Sequence, residues 1–212
     1  MLLDYLFPIR CLGECGAWDQ WLCPRCEQKI KQKNKIIFKE DNIYLSGLYF
    51  LHPYSNSLIQ KLIHQLKYQY SEEIAKILGR NMALCLDQNF DYIIPIPLNK
   101  KRFCERGFNQ SELMAENIIN YSVGTYHGMS LRNDILTRTR NTAAQAQLGH
   151  ELRAKNIHNA FSLNKKTIHM VSGKKILLID DVYTTGATMN ACAKLLKENR
   201  AKEIWGITAA KG

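Results

Sequence analysis

Two adjacent carboxylates, Asp180 and Asp181, follow the apolar run Ile176 to Ile179 and precede the segment Thr184, Thr185, Gly186, Ala187 and Thr188. Each residue type has a use if the stretch folds as strand, loop and helix. The loop amides and the positive end of the following helix attract a phosphate. The hydroxyls of Thr184, Thr185 and Thr188 add donors, and Gly186 lets the backbone approach a ligand closely. The two acids cannot serve that phosphate, which they would repel. Ionised, they are acceptors only, suited to vicinal sugar hydroxyls or a magnesium-bound ribose.

A second constellation is Cys11-x3-Cys15-x7-Cys23-x2-Cys26, with Gly13 and Gly16 beside one pair and Pro24 within the other. Two closely spaced pairs on tight turns can deliver four thiolates to one tetrahedral zinc ion. The glycines suit such turns. Seven cysteines, an odd number, in a chain without a recognisable export signal argue for metal ligation over a disulfide framework. So short a segment buries too little to fold alone, and the metal would stabilise it. Trp18 and Trp21 are expected to pack this knuckle onto its neighbour. Cys85, Cys104 and Cys192 are scattered.

These residues need a frame. Lys29 to Lys35, with a lysine at every second position, reads as a solvated linker, or as a segment that follows a nucleic-acid backbone. Ile43 to Tyr54 is rich in aromatic and β-branched residues around Gly47 and predicts a strand or hairpin. Leu58, Ile59, Leu62, Ile63 and Leu66 form a helical stripe. Ser71 is placed to cap the next helix, with Glu72 and Glu73 in its first turn. From Asp91 the pattern alternates: strand Tyr92 to Ile96, helix Asn109 to Asn120, strand Lys175 to Ile179, helix Thr188 to Asn199, strand Ile204 to Ala209. That order predicts an α/β fold with a parallel sheet flanked by helices and ligands at the carboxyl ends of its strands. The expected division is 1–40, a zinc-finger-like knuckle and basic linker, and 41–212, the α/β domain.

The net charge is +10, from 29 basic and 19 acidic residues. That excess attracts phosphates, on a small ligand or along nucleic acid, without choosing between them. Mean hydropathy is −0.28, and no apolar run reaches the roughly 20 residues a membrane helix needs. The amino terminus lacks the basic and apolar regions of a signal peptide, so the reading is cytoplasmic without a membrane span.

The run from Ile176 to Thr188 resembles the phosphoribosyl pyrophosphate (PRPP) signature of type I phosphoribosyltransferases. Further motifs occur in order: Pro95-Ile-Pro97, Arg102-x3-Arg106-Gly-Phe-Asn-Gln110-Ser, Arg138-x-Arg140-x4-Gln145 and Asn156-x3-Ala160-Phe161. With the cysteine knuckle, they resemble the ComF/GntX family of bacterial competence-associated proteins across almost the whole chain. The three-residue gap between Cys11 and Cys15 departs from the more usual two.

The resemblance implies a type I phosphoribosyltransferase-like fold and a PRPP site. In it, Asp180 and Asp181 hold ribose hydroxyls, and Thr184, Thr185, Gly186, Ala187 and Thr188 hold the 5′-phosphate. Pyrophosphate falls to Pro97, Leu98, Asn99 and Lys100, with Lys101, Arg102 and Arg106 adjoining, and magnesium would bridge it to the ribose. Arg138 and Arg140 lie in a stretch, Thr137 to Gly149, that reads as a hood over the ligand or an ordinary exposed loop. Purine-salvage members carry an aspartate acid/base where this chain has Thr184, so no catalytic residue is assigned. The family link is to single-stranded DNA uptake in natural transformation. Three functions follow: a PRPP- and magnesium-binding competence protein that handles single-stranded DNA; an active transferase on an unidentified acceptor; or a zinc-knuckle adaptor for a helicase or DNA-transport protein.

Overall fold

The computed structural model describes residues 8–39, 43–122, 128–139 and 160–212. Its strands are β1 (Asn34–Ile37), β2 (Gly47–Pro53), β3 (Tyr92–Pro95), β4 (Ser130–Leu131), β5 (Leu136–Arg138), β6 (Phe161–Leu163), β7 (Lys175–Tyr183) and β8 (Glu203–Lys211). Its helices are α1 (Pro24–Glu27), α2 (Ser57–Tyr68), α3 (Glu72–Ala83), α4 (Lys100–Arg106), α5 (Gln110–Ser122) and α6 (Ala187–Glu198). Among the described residues the main sheet runs β1-β2-β8-β7-β3-β4, parallel except for β1 against β2. β5 and β6 form a separate antiparallel pair.

Ile176 to Ile179 are all fully buried, because both faces of β7 are covered. Leu177 and Ile179 pack with α2, α3 and α5, while Ile176 and Leu178 face α6 and the β5–β6 pair. A strand buried on both sides reads as a continuous apolar run. The expected cap of α3 is present, the Ser71 side chain accepting from the Ile74 amide at 3.3 Å, and Asn56 caps α2 in the same way, accepting from the Ile59 amide at 3.1 Å.

α3 and α5 meet at Gly79. A Cβ there would lie 2.6 Å from Asn117 Cβ and 2.9 Å from the Met114 carbonyl oxygen. Leucine is a good helix former, so Gly79→Leu isolates the steric effect. It is expected to lower the thermal midpoint by roughly 3–10 °C, since overpacking costs about 1–3 kcal/mol. An unchanged melting curve would show that the two helices have room to separate.

Two readings change. The lysine run is not only solvated chain: Ile30 is fully buried, and Asn34 and Lys35 begin β1, paired with Phe50 and Tyr49. An edge strand exposes one face, and its lysines imitate a linker. The second change is that β7 does not stop at Ile179. It continues to Tyr183 because β8 runs beside it, Asp180 opposite Thr208 and Tyr183 opposite Lys211. The acids therefore sit within the strand's carboxyl end.

Candidate functional site

The acidic pair is held by groups from two helices. Asp181 is buried, and its Oδ2 lies 2.7 Å from the Lys67 ammonium and receives Gln110 Nε2 at 3.1 Å. Asp180 Oδ1 receives the Ser111 hydroxyl at 3.3 Å and the Asp181 amide at 2.9 Å. Burial, followed by the charge of Asp181, pushes the Asp180 carboxyl up to about 7. The site thus carries a carboxylate poised between its neutral and charged forms near neutral pH.

The Arg102-to-Ser111 motif is the scaffold of that pair. Asn99 caps α4 by accepting from the Arg102 amide at 2.8 Å. Gly107 ends α4 in the left-handed region (φ 75°), which favours glycine, and its amide reaches the Phe103 carbonyl at 2.7 Å. Asn109 donates to the Ile96 carbonyl at 3.1 Å and accepts from the Ser111 amide, tying the start of α5 to the end of β3. Arg106 donates to Gln110 Oε1 at 2.8 Å. Sequence reasoning quoted Gln110 and Ser111 within the motif but gave them no role, and it missed Lys67 altogether.

Asp180, Asp181, Pro97, Leu98, Arg102, Arg106, Arg138 and Thr188 line one cavity of about 130 Å3. Asn99 serves from behind as the α4 cap. Thr184, Thr185, Gly186 and Ala187 line a shallower adjoining hollow with Asp180 and Thr188. Gly186, at φ 75°, opens α6, and a Cβ there would collide with the Tyr183 ring. Gly186 has no side chain to cap α6, and the Ala187 amide donates only a long 3.4 Å bond to Thr185 Oγ1, so the helix start faces a loop of hydroxyls, the arrangement that receives anions. Arg138 stacks over Phe161 at 5.1 Å. Burial, then nearby Arg102, lowers its pKa from the ordinary guanidinium value, so an anion here would relieve two cations. Arg140 lies outside the described residues.

Beside this cavity is a wider cleft of about 550 Å3 that shares Lys67, Arg102 and Arg106 with it. Its aromatic wall is Tyr68, Tyr70 and Phe108. Tyr68 and Tyr70 are 66% and 52% exposed. Tyr70 meets Phe108 edge-on at 4.9 Å, and Arg106 lies 5.7 Å from the Tyr68 ring centre.

The cysteines converge as the spacing predicted. The sulfurs of Cys11, Cys15, Cys23 and Cys26 all lie within 4.8 Å of one another. Thiolates around one zinc ion stand about 3.8 Å apart, from a Zn–S length of about 2.3 Å, so this donor set fits zinc. The Cys23 and Cys26 amides donate to the sulfurs of Cys11 and Cys23 at 3.3 and 3.4 Å. A backbone hydrogen bond from Ala17, followed by the neighbouring thiols, draws Cys15 down to about 6, while burial pushes Cys26 up to about 12. Gly16 takes the left-handed turn (φ 78°), but Gly13 is needed for space: a Cβ there would strike Cys26 Sγ. Of the two tryptophans, Trp21 packs against the core, whereas Trp18 is 47% exposed under Arg10. Glu27 fastens the knuckle to α3 through Arg80, at 2.5 and 2.6 Å, and Asn81, at 2.8 Å.

The chain is 33% identical over 193 residues to DNA utilization protein YhgH of Shigella flexneri, covering 86% of this chain and 75% of that protein. It is 30% identical over 207 residues to competence protein F of Haemophilus influenzae, covering 93% and 84%. The chain belongs to the ComF family. In this ComF protein the phosphoribosyl transferase domain family matches residues 133–211, which hold the acidic pair and threonine loop but neither Lys67 nor Gln110. Glutamine PRPP amidotransferase from B. subtilis is a structural neighbour with 18% identity and a TM-score of 0.44, and this chain spans 30% of its length. Among the described residues of the ComF protein, no helix is long and apolar enough to cross a membrane.

Proposed function

We propose that this ComF protein binds PRPP with magnesium and uses that site in a competence role, the handling of single-stranded DNA in natural transformation. One observation carries the ligand: an acidic pair at the carboxyl end of β7 shares a cavity with three arginines and Thr188, next to the opening of α6. In this reading Asp180 and Asp181 accept from ribose hydroxyls. Thr184 to Thr188 take the 5′-phosphate, and Arg102, Arg106 and Arg138 face the pyrophosphate. The acids offer hard oxygen donors of the kind magnesium prefers, and the ion supplies charge neutralisation for pyrophosphate. The basic excess and the ComF relatives support the DNA role. Zinc in the cysteine knuckle belongs to the same reading.

The test is calorimetric titration of PRPP with magnesium into wild type and a folded Asp180→Asn/Asp181→Asn variant. Saturable binding by wild type and at least a hundredfold loss in the variant are expected. No binding by folded wild type would leave the motif a scaffold without this ligand.

A second reading, transfer to an acceptor, is favoured by the 550 Å3 cleft. Its aromatic and cationic wall opens beside the cavity lined by Asp180 and Asp181, and such walls also stack the bases of single strands. Pyrophosphate release that depends on an added acceptor would support transfer. Salt-sensitive single-strand binding lost in Tyr68→Ala/Tyr70→Ala would assign the cleft to DNA.

A further inference from the structure

Lys67 belongs to none of the motifs, yet it shares Asp181 Oδ2 with Gln110 and is the cation paired with it. It stands in the last turn of α2, where the helix carbonyls favour a cation. Its ammonium lies 2.7 Å from Asp181 Oδ2. The same residue borders both the 130 Å3 cavity and the 550 Å3 cleft, so an open path leads from the carboxylate toward Arg102 and Arg106.

We propose that Lys67 is a displaceable counter-cation of the acidic pair. It occupies Asp181 in the ligand-free protein and excludes a divalent cation that arrives alone. It then passes to an anionic oxygen when the cation arrives bound to a diphosphate ester. A carboxylate gripped by an ammonium at hydrogen-bond distance is closed to a second cation unless the ammonium gains another anion. A free metal ion supplies none. A metal–diphosphate complex supplies both partners at once, the cation for Asp181 and phosphate oxygens within a side chain's reach. Lysine suits the exchange better than arginine. Its ammonium is a point charge on a flexible stem, whereas a guanidinium grips a carboxylate with two fixed bonds. The site therefore admits metal and phosphorylated sugar together and resists the metal by itself. This inference rests on the PRPP reading only for the identity of the diphosphate ester.

The experiment compares wild type with Lys67→Met and Lys67→Gln, checked for folding by circular dichroism. Free Mn2+ is counted by electron paramagnetic resonance, and PRPP with magnesium is titrated by calorimetry. Both variants are expected to bind Mn2+ alone about tenfold more tightly and the PRPP complex about tenfold more weakly, a coupling of ordinary size. The gain in Mn2+ binding should vanish when Asp181→Asn is added. Lys67→Arg, which preserves the charge and the ion pair, should keep the wild-type exclusion of Mn2+ and serves if the neutral variants do not fold. Unchanged Mn2+ binding in folded Lys67→Met overturns the proposal, as does tight Mn2+ binding by Lys67→Arg. Failure of wild type to bind PRPP defeats the function proposed above, while the Mn2+ comparison still decides the role of Lys67.

Discussion

Serine in place of Cys23 and Cys26 is expected to release one metal ion per chain and to lower the thermal midpoint by roughly 10 °C or more. The size of the effect comes from where the knuckle sits. Cys11, Cys23 and Cys26 are buried together with Leu22 and Ile30, in the same apolar cluster as Ile59, Leu62 and Met82 of α2 and α3. Glu27, next in the chain after Cys26, is itself buried and receives Arg80 and Asn81. Losing the ligands loosens α1, withdraws that carboxylate, and opens the face of the core that α2 and α3 cover. Arg80 is exposed, so its ion pair with Glu27 adds little. The cost lies in the metal site, which contributes folding energy directly, on the order of several kcal/mol, and each kcal/mol moves the midpoint of a chain this size by about 2–4 °C. Elemental analysis and scanning calorimetry read the two effects separately. A metal-free variant that melts like wild type would show that the knuckle is an appendage rather than part of the core.

Asp180→Asn is expected to make the ligand-free protein more stable above pH 7 while abolishing PRPP binding. Burial and the neighbouring Asp181 push the Asp180 carboxyl up to about 7. The folded chain therefore holds a proton that the unfolded chain releases in the ordinary carboxylate range. The resulting stability is complete below about pH 4 and disappears as pH rises through 7. Asparagine removes this dependence, and its amide oxygen can still accept from Ser111 and the Asp181 amide. At pH 8 the variant should melt roughly 2–8 °C above wild type, the equivalent of about 1–2 kcal/mol, and the gap should close by pH 4. A variant that melts below wild type at pH 8 would mean that the charged form of Asp180 is the comfortable one.

The legible parts of this protein are those written in contiguous sequence. Ile176 to Thr188 carries strand, acids, loop and helix start in a single run, and the stripes of α2 and α3 come with their own caps. α4 was not visible as a helix because none of its residues is buried, so it carries no apolar period. β4, β5 and β6 span only two or three residues each, too few to show alternation. Lys67 escaped for a different reason. A lysine in the last turn of a helix is ordinary in sequence, and only the fold brings it against Asp181. The same holds for Gln110 and Ser111, whose importance lies in what faces them across the α5–β7 contact. The extension of β7 past Ile179 depends on β8, which no local pattern announces.

The strand order has a consequence for synthesis. β8 is the last strand in chain order, yet it lies between β2 and β7. While the chain is being made, β2 has no parallel neighbour and β7 has one open edge until residues 203–211 have emerged. The acidic pair is synthesised earlier, but the end of β7 that carries it pairs only with β8 and stays unpaired until that strand arrives. A nascent chain of this protein must therefore keep two apolar edges apart from other chains until β8 has emerged, and non-local parallel pairing is slow to form. Chaperone demand should concentrate in that late interval. Slowing translation before Glu203 should therefore increase aggregation.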